Sequence, residues 1–66
     1  MSNEIQKYTV SDAIEMMRQG GVDMASELSN PRASYADITD EIERDGGEPE
    51  FGFDEFLAAL RDAAAA

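Results

Sequence analysis

Three breaks govern what this chain can fold into: Gly20-Gly21, Asn30-Pro31 and the run Gly46-Gly47-Glu48-Pro49. Paired glycines supply the positive φ that ends many helices, and the residue before a proline is pushed out of the helical region. Only short elements fit between such breaks, and the spacing of apolar residues says which kind. Thr9 and Asp12 form a capping-box-like start, followed by Val10, Ala13, Ile14 and Met17 at i, i+3, i+4 and i+7, which predicts an amphipathic helix up to Gly20. Val22, Ala25 and Leu28 predict a brief second helix closed at Asn30-Pro31. Ser34 with Asp37 repeats the capping pattern, and Tyr35, Ile38 and Ile42 carry a third helix to Gly46.

The stretch Glu48 to Gly52 reads as a loop, pinned to the core by Phe51. Phe53, Phe56, Leu57 and Leu60 then make the cleanest apolar face of the chain, so the last helix is expected to supply most of the core. Ala63 to Ala66 can extend it or fray. The expected fold class is all-α: a single domain over residues 1–66, built from three to four short helices, with residues 1–7 flexible. The pattern E-x-x-R-x-G-G occurs twice, at Glu15 to Gly21 and at Glu41 to Gly47. It fits either a duplicated helix-turn unit or two helical Glu and Arg pairs that each precede a glycine cap.

At 66 residues, folding buries only about 60% of the unfolded surface. Natural domains of this size often lean on disulfides, a metal or a second chain. The chain has no Cys, which excludes disulfides, thiolate catalysis and cysteine zinc sites. It has no His either, which removes the usual general base near neutral pH and the commonest transition-metal ligand. Carboxylates remain as candidate acids and bases, but a raised carboxylate pKa needs an apolar cleft larger than so small a core provides. No enzymatic activity and no cofactor are expected. No apolar run approaches a membrane span, and Met1 to Lys7 lacks the basic start and apolar stretch of a signal peptide, so the expected location is cytoplasmic.

Charge carries the strongest functional signal: 15 acidic against 5 basic residues, a formal net charge of −10. Between Asp37 and Glu55 lie Asp37, Asp40, Glu41, Glu43, Asp45, Glu48, Glu50, Asp54 and Glu55, with Arg44 as the one cation. Such a surface repels nucleic acid and anionic membranes and attracts basic protein surfaces. On a helix, Asp37 and Glu41 stand about 6 Å apart along the axis and lead into the loop acids, a row of negative charge on the scale of strand phosphates. Like charges at i, i+4 also destabilise a helix by a few tenths of a kcal/mol per pair, which a purely structural face dilutes with Lys. A solvated face that maintains solubility, or the composition of a salt-adapted organism, accounts for acidity equally well.

Two stretches resemble known families. Phe51 to Leu60, with Glu55 followed by Phe56 and Leu57, resembles the end of an EF-hand calcium loop and its exiting helix. That resemblance places Arg44, Gly46 and Pro49 where the family has an acidic residue, an oxygen donor and a glycine, so it implies at most a degenerate helix pair without calcium. Ser34 to Ile42 resembles the first helix of helix-turn-helix proteins. The next segment, Glu48, Pro49, Glu50 and then a helix carrying Asp54 and Glu55, lacks the basic and amide residues of a recognition helix. In size and charge the chain is also similar to small acidic phage inhibitors, including some anti-CRISPR proteins.

The expected function is that of a non-enzymatic protein-binding module. In the first reading it is an acidic inhibitor or nucleic-acid mimic that occupies a basic groove of a nucleic-acid-handling protein through Asp37, Asp40, Glu41, Glu43, Asp45, Glu48 and Glu50. In the second it is an adaptor or oligomer-forming accessory protein, monomeric or weakly dimeric, that docks through Met16 and Met24. Both methionines fall off the apolar stripes of their helices and suit an adaptable interface unless a small bundle wraps them into its core.

Overall fold

The Thr9 hydroxyl accepts the Asp12 N–H at 3.2 Å, and the Asp12 carboxylate accepts the Thr9 N–H at 2.9 Å. This reciprocal box starts α1 (Val10–Gln19) at the residue the sequence predicts. In the computed structural model, which describes residues 5–66, α1 ends in a Schellman motif. Gly21 takes φ 76°, its N–H bonds to Arg18 O, and the Val22 N–H bonds to Met17 O, both at 3.0 Å. Val22 is thereby set down over Met17, outside any helix.

Asp23 then caps a single turn, α2 (Met24–Glu27), by accepting the Ala25 N–H at 3.1 Å. The expectation for this segment is corrected in detail. Val22 is 37% exposed, whereas Met24 is buried in the core at 8%. A turn this short buries whichever residue faces its neighbours, and here that is Met24.

α3 (Pro31–Arg44) starts a turn earlier than Ser34. Asn30 is its N-cap, accepting the Ala33 N–H at 3.4 Å, with Pro31 in the first turn, where a missing N–H costs nothing. The Asn-Pro step therefore opens a helix rather than closing one, since α2 has already ended at Glu27 with Leu28 as its C-cap. Ser34 is only 5% exposed, and its hydroxyl donates to Glu27 Oε1 at 2.6 Å. Past the C-cap Asp45, Gly46 takes φ 82°. The two E-x-x-R-x-G-G segments are not equivalent units: the left-handed glycine is the second of the pair in one and the first in the other.

The all-α expectation holds for most of the chain and fails at two short segments. β1 (Gln6–Tyr8) pairs in parallel with β2 (Gly47–Pro49), in the register Gln6 to Gly47, Lys7 to Glu48 and Tyr8 to Pro49. The Glu50 N–H extends the pairing to Tyr8 O at 2.8 Å. Gln6 and Lys7, expected to be flexible, are thus held in a strand, while residues 1–4 lie outside the described residues. Parallel strands need a long crossover, and α1, α2 and α3 supply it.

α4 (Phe53–Ala65) closes the fold by packing on α1, α2 and α3, and it stays helical through Ala65. The core is Ala13, Ile14, Met17, Met24, Ile38, Ile42, Phe51, Phe56 and Leu60, with Phe56, Ile42 and Leu60 its largest fully buried side chains. Burial of each of those three contributes about 1.5–3 kcal/mol. Tyr35 ties α3 to the loop before α4: its ring meets Phe51 and Phe53 edge-on, with centroids 6.0 and 5.7 Å away. Its hydroxyl donates to Phe51 O at 3.2 Å.

Candidate interaction surface

The core stripe of α3 is Ser34, Ile38 and Ile42 at fourfold spacing, with Tyr35 half-buried beside it, and the opposite side of the helix faces solvent. All seven carboxylates singled out from the sequence, from Asp37 to Glu50, are exposed. Asp37 and Glu41, one turn apart, flank a groove of about 310 Å³ shared with Met17, Val22 and Ile38. Glu43 and Asp45 sit at the C-terminal end of α3, where the helix dipole is already negative. Glu48 lies in the middle of β2, and Glu50 comes directly after the strand.

Two cations interrupt the row. Arg44 reaches back one turn to bond Asp40. Lys7 is delivered by the strand pairing: it stands opposite Glu48 in register, and its Nζ lies 4.0 Å from a Glu50 oxygen. Sequence order hides this neutralisation, because Lys7 lies far from the acidic tract along the chain. Both pairs are exposed, so each contributes at most about 1 kcal/mol. Among the described residues, Asp37, Glu41, Glu43, Asp45 and Glu48 take part in no ion pair. Asp54 and Glu55 occupy the first turn of α4, where negative charge meets the positive end of the helix, which gives them a structural role.

Glu27 and Ser34 are the residues that sequence reasoning missed. Glu27 is half-buried, held by the Ser34 hydroxyl, and together with Asp37 and Glu41 it makes a third carboxylate on the groove. The available signal was Ser34 itself, a polar residue on an apolar stripe.

Of the two methionines proposed for docking, Met24 belongs to the core and cannot face a partner, and Met16 is half-buried against it. The bundle wraps one fully and the other partly. The EF-hand-like segment has helix ends in suitable places, but Arg44 is bonded to Asp40 and residues 47–49 are paired with β1. Among the described residues no group of three or more carboxylates is placed to hold a metal ion, and no helix is long and apolar enough to cross a membrane. No family model, curated protein or solved structure matches the chain.

Proposed function

We propose that this chain is a non-enzymatic, cytoplasmic protein-binding module whose α3 and β2 carboxylates occupy a basic groove of a nucleic-acid-handling protein, in competition with nucleic acid. One observation carries the reading. Asp37, Glu41, Glu43, Asp45 and Glu48 are exposed and unpaired among the described residues, although Lys7 and Arg44 lie in the same region. Glu43 and Asp45 crowd the negative end of a helix, and Asp37 and Glu41 repel across one turn, each an unfavourable term of a few tenths of a kcal/mol. A basic partner surface offsets these terms and gains steering and counterion release from them.

The test is retention of host proteins on the immobilised chain at low ionic strength. The reading expects a retained nucleic-acid-binding protein that elutes steeply with salt and is displaced by duplex DNA or RNA. A complex insensitive to salt that also tolerates Glu41→Lys combined with Asp45→Lys refutes it.

A further inference from the structure

The groove between the end of α1 and α3 differs from the rest of the acidic surface in having an apolar floor. Met17 and Ile38 are core residues, and the Schellman turn sets the exposed Val22 beside them. Around this floor stand three carboxylates, Glu27, Asp37 and Glu41, and among the described residues no cation lines the space. Its volume, about 310 Å³, is at the small end for a ligand site, which runs from about 300 to 1,000 Å³. One long side chain suits it better than a folded element.

We infer that this groove receives an arginine side chain carried by a basic segment of the partner, with the guanidinium between Asp37 and Glu41 and the stem on the exposed Val22, above the buried Ile38. The inference rests on the proposed binding function. Arginine suits the site better than lysine for two reasons. Its planar head is weakly hydrated and loses little on lying over apolar carbon, and its five fixed donors can serve two carboxylates at once. An ammonium is compact and strongly hydrated, so it is better placed on the open carboxylates Glu43, Asp45 and Glu48. The cation also relieves the repulsion between Asp37 and Glu41. Glu27 is already engaged with Ser34, which fixes the wall of the groove nearest α2.

The experiment is a methyl and amide NMR titration at low salt with an acetylated, amidated peptide of alternating arginine and glycine, and with its lysine counterpart. The Val22 and Ile38 methyl signals are expected to shift and saturate with the arginine peptide, and the lysine peptide is expected to bind about threefold or more weakly. Asp37→Asn combined with Glu41→Gln should weaken arginine-peptide binding about tenfold. Glu15→Gln combined with Asp62→Asn removes the same charge beside the groove between α1 and α4, and it should change binding less than about twofold. Both double variants alter exposed residues, and unfolding curves are to be measured for each as the check that it folds.

If the amides of Glu43, Asp45 and Glu48 respond while the Val22 and Ile38 methyls stay still, the groove inference fails and the wider binding function stands. Equal losses in the two double variants also overturn it, since only net charge would then matter. No response anywhere at low salt overturns both.

Discussion

The ring of Tyr8 lies against the backbone of Gly47, where an added Cβ would stand 2.4 Å from Tyr8 Cε1 and 3.1 Å from Gln6 O. Gly47 is therefore required by close approach in the strand pair, a different reason from the left-handed φ that Gly46 needs. Gly47→Ala forces the Tyr8 ring or β1 to move and should cost about 1–3 kcal/mol, as overpacking usually does. Urea unfolding tracked by circular dichroism measures the loss. Tyr8→Ala combined with Gly47→Ala should cost less than the sum of the two single changes, because the clash is then gone.

The start of α3 offers a second test. Asn30 caps the helix, and Ser34 instead holds Glu27 from inside the fold. Asn30→Ala should destabilise by about 1 kcal/mol, the usual effect of losing a cap. Ser34→Asp would strengthen a cap if Ser34 were one. At a position 5% exposed beside the Glu27 carboxylate, it should instead destabilise more than Asn30→Ala does. Equal or greater stability for Ser34→Asp would place the helix start at the later residue.

Gly52 caps α4 in an extended conformation with no side chain to bond the free N–H groups, and a Cβ there meets nothing within 4 Å. Gly52→Ser should therefore stabilise by a few tenths of a kcal/mol. For a domain of this size that raises the melting midpoint by roughly 1–3 °C. A fall in the midpoint on calorimetry would contradict the cap geometry.

Stability and binding should separate at Asp45. A carboxylate at the C-cap of α3 opposes the helix dipole, so Asp45→Lys should stabilise the free domain by about 0.3–1 kcal/mol at low salt. The same change should weaken binding to a basic partner, and added salt should shrink both effects together. Thermal melts and affinities measured across a salt series check the pair of outcomes. A variant that loses stability without losing affinity would contradict the assignment of Asp45 to the interaction surface.

Legibility in the sequence tracked the range of the interactions. α1 was readable at both ends because its cap, stripe and glycine stop are all local. The start of α3 was ambiguous because Asn30-Pro31 and Ser34-Asp37 are both valid openings, and only the placement of Ser34 on the stripe with Ile38 and Ile42 decides between them. The strand pair left no mark: Gln6–Tyr8 and Gly47–Pro49 contain no β-branched residue and no alternation, and they meet only through tertiary structure. The same distance concealed the candidate surface. The seven acids were visible as a run, but the approach of Lys7 and the walling of a groove by Glu27 depend on elements far apart along the chain.

The strand pairing also has a consequence for how the molecule is made. Gln6–Tyr8 leaves the ribosome well before Gly47–Pro49, and Phe56 and Leu60, two of the largest fully buried side chains, emerge later still. A nascent chain that has produced α1, α2 and α3 holds an unpaired strand and an uncovered apolar stripe. It has little to gain from settling before α4 arrives. The fold therefore closes only when α4 is available, and a fragment ending before Phe56 is expected to stay open rather than form a partly built domain.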